Sequence, residues 1–74
     1  MYEVNVTELR IAMAEAGINT IDELSRASGV NRNTISDVLN KKSFPSSSVM
    51  SRIASALKLE GSRAGTIFFA PKLT

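Results

Sequence analysis

"TIDELSRASGVNRNTISDVLNKK", residues 20 to 42, decides how this chain folds. Thr20-Ile21-Asp22-Glu23 has the form of a helix-capping box, a hydroxyl residue followed three positions later by an acid. Ile21, Leu24, Ala27 and Ser28 then recur at helical steps, and Gly29 stops the run, giving a helix of about eight residues. Asn31 caps a second run whose apolar positions are Ile35, Val38 and Leu39. Two helices joined by a tight turn through Gly29 and Val30 make a helix-turn-helix pattern. Glycine permits the backbone angles that so sharp a turn needs. Val30 is expected to point into the angle between the helices, and Ser25 is small where they approach each other.

The flanking sequence supplies partners for this pair. Upstream, Asn5-Val6-Thr7-Glu8 is another capping box, and Val6, Leu9, Ala12 and Met13 mark one face of a helix over about residues 6 to 16, ended by Gly17. Downstream, "SFPSSS" is a loop. Pro45 disfavours helix at Phe44, and Ser46 is placed to cap a helix carrying Val49, Met50, Ile53, Ala54 and Leu57. "EGS" breaks that run. The tail, residues 61 to 74, is ambiguous. Thr66, Ile67, Phe68 and Phe69 favour a strand by propensity, whereas Ala64, Ile67 and Phe68 fit one helical face with Ser62 as cap. A fifth short helix is the preferred reading, because "YEVNV" is only a weak strand partner. Adjacent Phe68 and Phe69 cannot both point inward on a short helix, so one is left for a partner surface.

Composition narrows the function. A chain of 74 residues with 43% hydrophobic content implies one domain, residues 1 to 74, around a single small core. There is no cysteine and no histidine. Disulfides are therefore excluded, a reducing, cytoplasmic home is expected, and zinc would have to rely on carboxylates alone. The apolar run "IFFAP" is far too short to span a membrane, and "MYEVNVTE" lacks the features of a secretion signal. No nucleophile–base pair, phosphate-cradling glycine loop or metal spacing is present. No enzyme activity, cofactor, metal or small-molecule ligand is expected. Nine basic against seven acidic residues give a net charge of +2, a mild bias towards anionic partners.

Burying Ile35 and Val38 turns Arg32, Asn33, Ser36, Asp37 and Asn40 outward. Such side chains suit base edges in the major groove: arginine for guanine, asparagine for adenine, aspartate for the cytosine amino group. The first turn of such a helix normally goes deepest, which makes Arg32 and Asn33 the leading readers. Read in isolation, the same residues are simply a solvated helix face. Lys41 and Lys42 suit either the negative end of the helix dipole or a phosphate. Thr20 reads first as a cap, and Arg52 as a solvated side chain on the outer face of its helix.

At "IDELSRASGVNRNTISDVLNKKSFPS", continued by "VMSRIASALKL", the chain resembles the Cro and lambda-repressor-like helix-turn-helix regulators, the XRE family. Leu24, Ser25, Gly29, Val30 and Ile35 match its core and turn positions, and Pro45, Ile53, Ala54 and Leu57 its loop and fourth helix. The resemblance covers about residues 6 to 60. It implies a compact all-α domain of four to five helices that binds double-stranded DNA through helix 3, often as a dimer on a two-fold site. Base contacts would fall on Arg32, Asn33 and Asp37. Phosphate contacts would fall near Thr20 and Ile21, and between Asn40 and Ser46. The candidate set is thus Thr20, Arg32, Asn33, Thr34, Ser36, Asp37, Asn40, Lys41, Lys42 and Ser46. Three positions depart from the family: Ile21 replaces a common glutamine, Lys41 a usual glycine, and Asp37 puts an acid in the reading face. That acid costs affinity unless it reads cytosine or pairs with a cation such as Arg32 or Lys41. The implied function is a phage-like or mobile-element repressor. The rival is the same fold used to bind another regulator, with the aromatic tail as contact.

Overall fold

Polar caps and left-handed stops cut the chain into five helices. A computed structural model describes residues 1–72. The order is β1 (Tyr2–Glu3), α1 (Val6–Glu15), α2 (Ile21–Ser28), α3 (Arg32–Leu39), α4 (Ser47–Leu57), α5 (Gly61–Phe68) and β2 (Ala70–Pro71). Four helices begin with a side chain that accepts from a first-turn N–H: Asn5 from Glu8, Thr20 from Glu23, Asn31 from Asn33 and Ser46 from Val49. Each such cap stabilises by about 1 kcal/mol.

Three of the five helix ends follow one recipe. After α1 the N–H of Ile18 donates to the Met13 carbonyl and that of Gly17 to Ala14, with Gly17 at φ 75°. This is a Schellman motif. The same pair of bonds closes α3, from Lys42 to Asp37 and from Lys41 to Val38, and α4, from Leu59 to Ala54 and from Lys58 to Ser55. There the left-handed residue is a lysine: Lys41 at φ 57° and Lys58 at φ 54°. The turn after Asn40 therefore keeps the geometry that a glycine would give it, although lysine stands there.

One core unites all five helices. Leu9, Ala12 and Met13 of α1, Leu24 of α2, Ile35, Val38 and Leu39 of α3, Ile53 and Leu57 of α4, and Ile67 and Phe68 of α5 are buried, with Val4 and Val30 beside them. The described residues bury no polar or charged residue.

The tail combines both of its sequence readings. α5 forms as the preferred reading has it, and a two-residue antiparallel ladder follows, pairing Tyr2 with Pro71 and Glu3 with Ala70. "YEVNV" thus does supply the strand partner. Ser62 is not the cap: α5 starts one residue before it, from an extended Glu60, and the Ser62 hydroxyl donates to the Glu60 carboxylate at 2.7 Å. The Asn5 N–H, which a full capping box would give to Glu8, donates instead to the Ile67 carbonyl at 2.7 Å. That bond straps the start of α1 to α5.

Candidate nucleic-acid interface

The turn between α2 and α3 is held by hydroxyls. The Ser25 hydroxyl donates to the Val30 carbonyl at 2.6 Å, and the Ser28 hydroxyl donates to Leu24 and accepts from the Val30 N–H. Gly29 sits at φ 74°, and Val30 is 5% exposed, seated in the angle between the helices. The Arg52 guanidinium lies across this turn: a side-chain carbon on Gly29 would meet its Nη1 at 3.5 Å. Arg52 is exposed, as expected, yet it drapes over the turn.

This anchoring sets the rotation of α3. Ile35, Val38 and Leu39 point inward. With successive residues about 100° apart, Asn33, Ser36, Asp37 and Asn40 fall on the opposite face. Asn33 and Asn40 are exposed, and Ser36 and Asp37 are half-buried. The Asn40 amide donates to the Ser36 hydroxyl at 3.2 Å, so these two present themselves as a unit. Thr34 lies on one flank, half-buried. Arg32 lies on the other, where its Nε is paired with Asp22 in the first turn of α2. Arg32 is thus exposed but drawn aside from the line through Asn33 and Asp37.

Past the end of α3, Lys41 and Lys42 are both exposed. Lys41 Nζ lies 3.4 Å from Glu3 Oε1 on β1. Among the described residues the Asp37 carboxylate makes neither an ion pair nor a hydrogen bond. The two cations expected as its partners are engaged with Asp22 and Glu3 instead. Those acids were missed by sequence reasoning. Asp22 carried a faint signal, an acid in the first turn of a helix whose partner helix begins with arginine. Glu3 carried none, because only the ladder brings it to Lys41.

Thr20 and Ser46 stand at the starts of α2 and α4, and both hydroxyls are occupied as caps. Thr20 also donates to the Glu23 carboxylate at 3.1 Å, and that carboxylate accepts from the Asn19 N–H as well. Ile21 is half-buried against the core, so any contact there belongs to its backbone rather than its side chain. The first turn of α2 offers amides to a phosphate, while Asp22 and Glu23 oppose one.

A separate apolar surface adjoins the loop after α3. Phe68 is buried and Phe69 is 47% exposed. The Phe69 ring meets Tyr2 edge-on at 5.7 Å and Phe44 at 6.1 Å, and all three remain about half exposed. Among the described residues no group of three or more His, Cys, Asp or Glu could hold a metal ion, and no helix is long and apolar enough to cross a membrane.

The family model of the Cro/C1-type HTH DNA-binding domain matches residues 8–60, from within α1 to the residue before α5, with α2, α3 and the turn between them inside the match. No curated protein and no solved structure matches the chain.

Proposed function

The chain belongs to the Cro/C1-type HTH DNA-binding domain family, and on that premise we propose that it is a sequence-specific transcriptional repressor of the small kind carried by phages and mobile elements. The observation that carries this reading is the single face of Asn33, Ser36, Asp37 and Asn40, backed by buried Ile35, Val38 and Leu39. α3 enters the major groove with that face against base edges. Asn33 takes an adenine, and Arg32 exchanges Asp22 for a guanine. Lys41 and Lys42 follow the phosphate backbone beyond the helix end, with the amides at Thr20 and Ile21 on the other side. Regulation is by occupancy: the bound protein excludes polymerase. The setting is the cytoplasm, on the host's DNA.

The test is a titration of random and selected duplexes with the Arg32→Ala and Lys42→Ala variants. Arg32→Ala loses preference at one base position. Lys42→Ala weakens binding to every sequence alike and reduces the slope of log K against log salt by about 0.9. A wild-type protein with no preferred duplex sinks the proposal.

A second reading is favoured by the exposed Tyr2, Phe44 and Phe69 cluster. Through it the domain binds a second copy of itself, which suits a two-fold DNA site, or another regulator. Acids at Asp22, Glu23 and Asp37 on the DNA-facing side give this reading its weight.

A further inference from the structure

We infer that Asp37 selects a cytosine in the target DNA, accepting a hydrogen bond from its exocyclic amino group in the major groove. This rests on the DNA-binding reading above and adds to it the identity of one base pair. A carboxylate brought against a polyanion must be neutralised or given a donor. The protein supplies neither to Asp37. Arg32 is paired with Asp22, and Lys41 with Glu3. Lys42 gives its backbone N–H to the Asp37 carbonyl at 2.8 Å, while its ammonium group forms no ion pair with the carboxylate. Asp37 lies one helical turn beyond Asn33, near the middle of the outward face, so the missing donor has to come from whatever that face meets.

The major groove offers two kinds of amino donor, cytosine N4 and adenine N6. Adenine sets its N7 acceptor directly beside the amino group, and a carboxylate, which only accepts, meets that lone pair unfavourably. Cytosine sets a C–H there instead. Guanine presents only acceptors, and thymine an acceptor and a methyl group. Asn33 carries both a donor and an acceptor and so suits adenine. Two residues one turn apart on the same face therefore ask for different bases.

The experiment is selection of binding sites from random duplex DNA by the wild-type chain, Asp37→Ala and Asp37→Asn, with circular dichroism to check that each variant folds. The wild-type site contains a cytosine at one fixed position, and replacing it by thymine weakens binding about 10–100-fold. Asp37→Ala loses preference at that position alone, and Asp37→Asn shifts it towards adenine. If the wild type selects a sequence and Asp37→Ala selects the same one at every position, the inference is overturned while the DNA-binding proposal survives. If the wild type selects nothing, the DNA-binding proposal itself fails and takes this inference with it.

Discussion

Arg32 Nε is paired with the Asp22 carboxylate, so the first turn of α3 is tied to the first turn of α2. With side chains 69% and 56% exposed, the pair stabilises the fold by at most about 1 kcal/mol. Its larger effect is on DNA, which has to compete with Asp22 for the guanidinium. Asp22→Asn is expected to raise affinity for the preferred duplex about 2–5-fold, the equivalent of that pair, while lowering stability by less than about 1 kcal/mol. Adding Arg32→Ala to Asp22→Asn removes the part of the gain that comes from the released guanidinium, leaving only the smaller part due to the acid lost beside the phosphates. Anisotropy titrations and thermal melts check both arms, and an unchanged affinity in Asp22→Asn would show that the tether does not restrain binding.

Two lysines adopt a backbone conformation that glycine tolerates better. Lys58 at φ 54° ends α4 and makes no ion pair among the described residues. Lys58→Gly relieves the left-handed strain and is expected to stabilise the domain by about 1 kcal/mol, or roughly 4–8 °C in Tm. Lys41→Gly relieves the same strain but gives up the contact with Glu3 and one cation beside the DNA. It should raise Tm less and weaken DNA binding, and a binding loss of equal size in Lys58→Gly would contradict this division of roles.

The Ser25 hydroxyl bridges the ends of the α2–α3 turn through the Val30 carbonyl. Ser25→Ala leaves that part-buried carbonyl without its donor, at a cost of about 1–3 kcal/mol. Urea denaturation measures it. A loss below about 0.5 kcal/mol would mean that the turn is held by Gly29 and the Ser28 bonds alone.

Phe69 packs between Tyr2 and Phe44 on the surface beside the post-α3 loop. If a second copy docks there, sedimentation equilibrium should find wild-type self-association that Phe69→Ser abolishes, with affinity for a palindromic duplex falling in parallel. Unaltered association in Phe69→Ser places the contact elsewhere.

Legibility followed the range of the interaction. The bounds of α2 and α3 were readable because Thr20, Gly29 and Asn31 act within a few residues of themselves, and the rotation of α3 followed from three apolar positions. The tail was not readable in full. Its residues suit both helix, the preferred reading, and strand, and the point where one gives way to the other is set by the Asn5–Ile67 strap and the ladder with Tyr2 and Glu3, which join opposite ends of the chain. The outward face was legible as a set of residues but not as a set of free residues. No local pattern reveals that Lys41 is claimed by Glu3, and only the acid in the first turn of α2 hints that Arg32 is claimed by Asp22. Nor does sequence show that Lys41 adopts the conformation usually left to glycine; here the two Schellman bonds prevail over its side-chain preference.

The two-residue ladder also has a kinetic meaning. It closes a loop almost as long as the chain, continued by the Lys72 N–H donating to the Met1 carbonyl, and loop closure of that span is entropically costly. The ends should therefore meet last in folding and part first in the native state. Amides of Asn5 and Lys72 would exchange with deuterium through partial opening, while those of Leu24, Ile35 and Ile53 wait for global unfolding. Because Tyr2 and Phe69 flank that seam, their joint surface exists only while it is zipped, and a companion molecule settling on it would act as a clasp, slowing exchange at both termini at once.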